Sequence, residues 1–416
     1  PCRKEALRGK LGRMSREQPQ VAAALDQVVA AVNSDPDQLD VLLEGQNYRL
    51  AFWRTAAQDL GYRRFFDINT LVGLRAEDET VFAETHALIL EWLRKGMLDG
   101  VRVDHPDGLL DPQEYFQRLY EACPQAWILV EKILKPGERL PNSWPIAGTT
   151  GYDFIYRLAN LFVDPAGEGP LTKFYAEFTD EPSDFAIVMR EKKGVAMRDL
   201  LGSDVNRLTA LFGQICERHR RHRDYTRHEL HHVLREVISS LPVYRTYVRA
   251  KVGQVSADDI RTITEAVESA KKTRLDLDKD LFNFFRDILL LRVRGDLETE
   301  LVMRFQQLTG PVMAKGVEDT AFYCFDRLVS LNEVGGDPGR FGLSPDDFHK
   351  ACAEAQAQWP RSMLASSTHD TKLSEDVRAR LHLLSEIPDR WREAVLGLLP
   401  AVRIADELQR RPPGGR

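Results

Sequence analysis

Three acidic residues stand where short apolar runs end. Asp104 follows Val101-Arg102-Val103, Glu131 follows Trp127-Ile128-Leu129-Val130, and Asp370 follows Met363-Leu364-Ala365-Ser366-Ser367 by way of Thr368-His369. If each run is a buried strand of a parallel sheet, its carboxyl end is where reactive side chains collect. Two carboxylates facing each other across a cleft are the minimum equipment for cleaving a glycosidic bond. One attacks or stabilises the anomeric carbon and the other protonates the leaving oxygen. Glu131 closes an apolar run, so burial beside another carboxylate would raise its pKa, as the acid requires. Arg102 precedes Asp104 by two residues and so points to the same side of a strand. A cation there keeps Asp104 ionised, as a nucleophile must be. The same residues also fit a helix N-cap or a surface group, which is the commoner use of a strand-end Asp or Glu. Residue type and spacing leave both readings open.

A second pattern points to different chemistry. His228-Glu229-Leu230-His231-His232 has the HExxH spacing, which on a helix puts His228 and His232 on one face with Glu229 available as a base. The preceding Arg218-His219-Arg220-Arg221-His222-Arg223 reads instead as a solvated helix face and loop, and no third ligand is marked. The expectation is therefore no metal and no cofactor.

The elements that must carry these residues follow from periodicity. Ala22, Leu25, Val28, Val29 and Val32 fall on a helical period, Asn33-Ser34-Asp35-Pro36 breaks it, and a second helix is expected over 51–60. Residues 77–96 read as a helix, 101–104 as a strand, 105–108 as a loop, 115–123 as a helix and 127–130 as a strand. This alternation predicts a parallel α/β sheet or barrel. From about 155 to 310 long helices dominate, at 205–217, 227–241, 258–272 and 281–291. Gly310-Pro311-Val312-Met313-Ala314 is expected to restart the α/β pattern, 363–367 to form a further strand, and helices to return after Ser374. The domains expected are 1–155, a helical insertion at 156–310, and 311–416.

The chain has 416 residues, 43 % hydrophobic and 29 % charged, enough for a sizeable core and more than one ordinary domain. A net charge of −6 without a basic stripe argues against nucleic acid. No apolar run reaches the roughly 18 residues of a membrane span. The five cysteines are scattered and form no CxxC pair, which fits a reduced, cytoplasmic protein. No signal core follows Pro1, and the missing initiator methionine suggests a start inside a longer protein. Arg410–Arg416 reads as a loop or cut end.

Taken together, the motifs resemble a known family. Gly100-Val101-Arg102-Val103-Asp104 is similar to the second conserved region of the α-amylase superfamily, Val130-Glu131 to the third, and Ser367-Thr368-His369-Asp370 to the fourth. Longer blocks narrow the likeness to the maltooligosyltrehalose synthases. They are 62–69 followed by Gly73-Leu74-Arg75, then 104–109, 131–134 with 144–154, 313–323 with 330–338, and 368–380. The likeness runs from about residue 40 to 400. Leu373 departs from it where the family usually has an arginine. The superfamily's first region does not occur upstream of Asp104. The fold implied is therefore an incomplete (β/α)8 TIM-type barrel with a large helical insertion, lacking early strands and the C-terminal part, which leaves open whether the chain is active by itself.

The resemblance implies an intramolecular transglycosylation that converts the reducing-end α-1,4 linkage of a maltooligosaccharide into an α,α-1,1 linkage. Asp104 is the implied nucleophile, Glu131 the acid and then the base, and Asp370 the stabiliser of the oxocarbenium-like state. Arg102 is expected to orient Asp104, and His369 to bind the sugar. His105, Asp107 and Lys132 are expected either as further substrate contacts or as loop supports, and Trp144 and Tyr152 are aromatics able to stack on a sugar or to pack. The implied partners are an α-1,4-glucan substrate and functional pairing with a maltooligosyltrehalose trehalohydrolase. An α-glucan hydrolase and a non-catalytic glucan-binding fragment are the alternatives.

Overall fold

A computed structural model describes residues 2–398 and divides the chain into two units, Pro1–Ala56 and Ala57–Arg416. The first unit contains three helices, α1 (Cys2–Glu17), α2 (Pro19–Ser34) and α3 (Pro36–Glu44). Proline opens α2 and α3, where its missing N–H costs nothing, and the Asp35 carboxylate accepts the N–H groups of Asp37 and Gln38 to cap α3. The stretch 51–60, expected as a helix, begins with a single 3-10 turn at Trp53–Thr55. Leu50, Phe52 and Trp53 are exposed there, so no packing offsets the cost of nucleating a helix.

The second unit begins with an antiparallel hairpin of β1 (Arg64–Phe65) and β2 (Ile68–Val72). Helix α4 (Glu79–Arg94), capped by Asp78, leads into strand β3 (Gly100–Val103). Helix α5 (Pro112–Ala122), capped by Asp111, then leads into β4 (Trp127–Val130), and β5 (Gly148–Thr149) completes a parallel sheet in the order β3-β4-β5. The strands pair Val103 with Val130 and Val130 with Thr149. Phe116 and Leu119 of α5 close over Ile128 and Val130 of β4, together with Trp144, in one apolar cluster. The alternation of helix and strand thus arises because each strand is apolar on the face its helix covers.

Long helices fill the middle of the chain: α6 (Tyr152–Leu161), α7 (Glu168–Thr179), α8 (Phe185–Asp199), α9 (Gly202–Glu217), α10 (Arg227–Ser240), α11 (Ala257–Thr273), α12 (Lys279–Leu289) and α13 (Asp296–Met313), of which α9 to α12 match the four expected spans. Capping boxes at Thr226/Glu229 and Ser256/Asp259 start α10 and α11. Phe212, Val233, Val237, Ile263, Phe282, Phe285 and Phe305 share the largest apolar core. Two further helices, α14 (Pro345–Gln358) and α15 (Glu375–His382), follow.

Two expectations are corrected here. Residues 310–314 do not restart a sheet. They close α13, which carries Pro311 in its interior and runs into a π-helical turn, Ala314–Glu318. Leu301, Val302, Phe305, Leu308 and Val312 are all buried, and that packing outweighs the turn preference of Gly-Pro. Residues 363–367 form no strand. Met363 N–H donates to the Thr149 carbonyl at 3.0 Å, but the Ser362 hydroxyl accepts the Thr149 N–H at 2.9 Å, replacing the main-chain partner a ladder needs. The segment is extended beside β5 without joining it.

Candidate active site

Because β3 and β4 are parallel and in register, the residues just past their ends emerge side by side. Glu131 N–H still donates to the Val103 carbonyl at 2.9 Å. Asp104 and Glu131 therefore leave adjacent strands at the same edge, and Arg102 lies between them. Its Nη1 is 2.9 Å from Asp104 Oδ1 and its Nη2 is 2.9 Å from Glu131 Oε1. One guanidinium thus holds both carboxylates, which a lysine's single ammonium would not do with this geometry.

His105, the next residue, has φ 42° in the left-handed region, a sparsely populated conformation for a side-chain-bearing residue. That turn aims its backbone N–H at Glu131 Oε2, 2.8 Å away. Glu131 is pushed up to about 7, first by burial and also by the neighbouring Asp104, while the His105 N–H and Arg102 act in the opposite direction. A carboxyl in this range holds a proton to give and can take it back near neutral pH.

Asp370 arrives from a different part of the chain. Tyr152, at the start of α6, donates its phenolic hydrogen to Asp370 Oδ2, and Thr368 Oγ1 donates to the Tyr152 oxygen at 3.2 Å. His369 Nε2 lies 3.4 Å from Asp370 Oδ1. The loop that carries them is fastened by buried Glu333, whose carboxylate accepts the N–H groups of Lys372 and Leu373 at 2.8 and 2.7 Å.

These groups meet in one cavity of about 410 Å³. Asp104, His105, Asp107, Glu131, His369 and Asp370 line it. Arg102 braces the two strand-end carboxylates. The other expected residues stand behind the wall. Lys132 is fully buried, 3.3 Å from Asp107 and 3.0 Å from Glu138, so it supports Asp107 instead of meeting solvent. Burial acts to raise Asp107, but Lys132, Arg245, the Tyr247 hydroxyl and His105 act in the other direction and hold it below the usual carboxylate range. Tyr152 is 1 % exposed with its hydroxyl committed to Asp370. Trp144 is 3 % exposed, packed on Phe116 and Tyr247, and lies away from the cavity. Neither aromatic offers a ring face for stacking.

Sequence reasoning missed the rest of the lining, which includes Phe65, Phe66, Tyr244, Lys315, Glu318, Asp319 and Lys372. Lys315 sits 3.1 Å from Asp67 and 2.9 Å from Asp319, over the Phe66 ring. Glu318 accepts the Tyr244 hydroxyl hydrogen and is pushed up to about 7 by burial. The dense charged block 315–319 was the available signal. Its setting in a π-helical turn, a feature frequent at functional sites, was invisible without the fold.

The HExxH pattern is absorbed by local structure. Glu229 closes the capping box with Thr226, and His232 Nδ1 is 3.1 Å from Arg274 Nη1. Among the described residues no group of three or more His, Cys, Asp or Glu side chains is arranged to hold a metal ion. No helix among them is long and apolar enough to cross a membrane.

No family model matches the chain. The solved maltooligosyltrehalose synthase from Arthrobacter ramosus superposes with a TM-score of 0.77 at 40 % identity, over 88 % of this chain and 44 % of that one. The chain resembles part of a maltooligosyltrehalose synthase. A second solved structure, a hypothetical maltooligosyl trehalose synthase of Sulfolobus tokodaii, gives a TM-score of 0.68 at 33 % identity, over 87 % of this chain and 44 % of that one. A Mycobacterium tuberculosis relative, provisionally named maltooligosyl trehalose synthase, is 39 % identical over 350 residues, 83 % of this chain and 42 % of that protein. The chain therefore spans less than half the length of the maltooligosyltrehalose synthases it matches. Its α/β, mostly helical fold is the one those structures share.

Proposed function

We propose that this chain carries the reacting centre of an enzyme that converts the reducing-end α-1,4 linkage of a maltooligosaccharide into an α,α-1,1 linkage. The observation that supports this reading most is the convergence of Asp104, Glu131 and Asp370 on one cavity, with Glu131 pushed up to about 7. In this reading Asp104 attacks the anomeric carbon while Glu131 gives its proton to the departing oxygen, so the C1–O4 bond breaks and a glycosyl ester forms. The released glucose turns within the cavity. Its own anomeric hydroxyl then attacks the ester carbon as Glu131 takes back the proton and Asp104 leaves. Two inversions return the α configuration, and the reducing end disappears.

Arg102 would orient Asp104, Asp370 would stabilise the oxocarbenium-like state, and His105, Asp107 and His369 would contact sugar hydroxyls. Water must be kept from the ester, since its attack gives hydrolysis. The parallel β3-β4-β5 sheet is read as part of a (β/α)8-type barrel, with 156–310 as a helical insertion between barrel segments. The product, an oligosaccharide ending in trehalose, is a substrate for a trehalohydrolase, and that pairing is part of the proposal. A cytoplasmic location accords with free thiols at Cys123, Cys216, Cys324 and Cys352.

Incubation of the chain with maltopentaose tests the reading. An alkali-stable, non-reducing product supports it. New reducing ends point to a hydrolase, and saturable binding without turnover points to a glucan-binding part.

A further inference from the structure

The loop that follows Asp104 is held by its carbonyls, and the grip comes from the helical region. Arg245, just past α10, is 2 % exposed and among the largest fully buried side chains. Its four hydrogen bonds among the described residues all go to main-chain carbonyls. Nε donates to Thr246 at 3.1 Å, Nη1 to Asp107 at 2.8 Å and Leu109 at 2.6 Å, and Nη2 to Leu110 at 3.3 Å. Gly108, between them, has its carbonyl taken by Gln307 Nε2 at 3.0 Å and Arg63 Nη1 at 3.2 Å. Every carbonyl from 107 to 110 is thus fastened to a side chain outside the loop.

Burying a guanidinium against carbonyl dipoles is costly, and the cost is offset only while the loop keeps this shape. The loop's first residue is His105, whose left-handed conformation sends its N–H to Glu131 Oε2. The Pro106–Gly108 turn connects the two ends of the device, with Gly108 N–H returning to the His105 carbonyl at 3.0 Å.

We propose that Arg245 is a positioning residue for Glu131: by clamping carbonyls 107, 109 and 110 it fixes the His105 turn and so keeps that backbone N–H on the Glu131 carboxylate. The arrangement makes the acidity of Glu131 depend on Arg245, in the link after α10, which does not touch it. The kinetic consequence rests on the catalytic reading above, whereas the structural coupling does not.

Other charges facing Glu131 are Arg102 and Asp104 from the β3 side, and His369 and Asp370 from the loop after 361, with the Tyr152 phenol from the start of α6. Lys315, Glu318 and Lys372 line the same cavity. Asp107, ion-paired with Lys132, also lines the cavity and feels the Arg245 charge; Arg245→Lys keeps that charge, so its effect on Glu131 runs through the loop.

The test is the titration midpoint of Glu131, followed by carbon NMR on chain carrying labelled glutamate, with Glu131→Gln assigning the signal. Arg245→Lys keeps a positive charge and loses the fork. With the N–H withdrawn the carboxylate is less stabilised, so the midpoint rises, and a tenfold loss of acidity is about one pH unit. A folded Arg245→Lys chain whose Glu131 titrates as the wild type does overturns the proposal. If that variant does not fold, Gln307→Leu removes one of two donors on the Gly108 carbonyl. A smaller rise then supports the clamp, and no rise overturns it. Where turnover is measurable, the basic limb of kcat/KM moves with the midpoint, whereas a purely structural role lowers Tm without moving that limb. The titration needs no turnover, so failure of the catalytic reading and failure of the clamp are seen separately.

Discussion

Arg102 and Glu131 are joined by a 2.9 Å contact between Nη2 and Oε1, although they belong to different strands, and the same guanidinium reaches Asp104. A single cation therefore balances a proposed nucleophile and a proposed acid. Replacing it with Arg102→Met leaves two neighbouring carboxylates without their shared counter-charge. Glu131 then titrates above its present value of about 7, by about one further unit. The basic limb of kcat/KM on maltopentaose is the measurement, and a limb that stays put contradicts this role.

In the proposed mechanism, turnover depends on the proton at Glu131. With Glu131 pushed up to about 7, kcat/KM declines as pH rises through neutrality, because the acid form is the reactive one. Glu131→Gln abolishes that decline and lowers the rate by about 10²–10⁴-fold. Asp104→Asn, which cannot form the glycosyl ester, lowers it on the order of 10⁴-fold or more. Retention of normal turnover in either variant rejects the assigned chemistry.

Tyr152 supports Asp370 from behind. Tyr152→Phe keeps the buried ring and removes the hydrogen bond to a carboxylate that is itself partly exposed, at a cost of about 0.5–1.5 kcal/mol. Both Tm and turnover should fall, whereas loss of Tm alone would mean the phenol only stabilises the fold.

Glu318 predicts a pH dependence of stability. Its folded-state pKa of about 7 lies above that of an unfolded glutamate, so the folded chain holds a proton that the unfolded chain releases. The associated stability is complete at low pH, below the unfolded value, and is lost as pH rises through 7. Glu318→Gln accepts the Tyr244 hydrogen bond without titrating. Its Tm should fall less steeply than that of the wild type between about pH 4.5 and 7, by on the order of 2 kcal/mol across the window. Parallel curves for the two proteins would exclude this.

Gly151 lies where β5 hands the chain to α6, with φ 98° and space for no side chain. A Cβ there would be 2.7 Å from the Ala365 nitrogen. Gly151→Ala should destabilise the chain by about 1–3 kcal/mol and push away the segment leading to His369 and Asp370. Thermal melts together with turnover report both effects, and an unchanged Tm would show that the segment yields freely.

Some of this was legible before any coordinates. The runs 101–103 and 127–130 are apolar, short and followed by acids, and a buried parallel strand is the structure that such a run favours. Arg102 and Asp104 share a side because a strand alternates. The helices from α9 to α12 declare themselves by period. Residues 363–367 misled because an apolar run signals burial without specifying a ladder, and here the Ser362 hydroxyl takes the place of a main-chain partner. Residues 310–314 misled because Gly-Pro marks a turn only when packing does not override it.

The amino-acid order by itself determined the strand-end acids, the arginine beside the first of them and the helical character of the middle region. Those depend on neighbours within a few positions, where periodicity and side-chain chemistry act directly. Only the tertiary structure decided that Tyr152 serves Asp370, that Lys132 and Trp144 stand behind the cavity, and that Arg245 grips the loop after Asp104. Those relationships join residues far apart in the chain, and they exist because burial forces each polar group to find whatever partner the packing brings within reach.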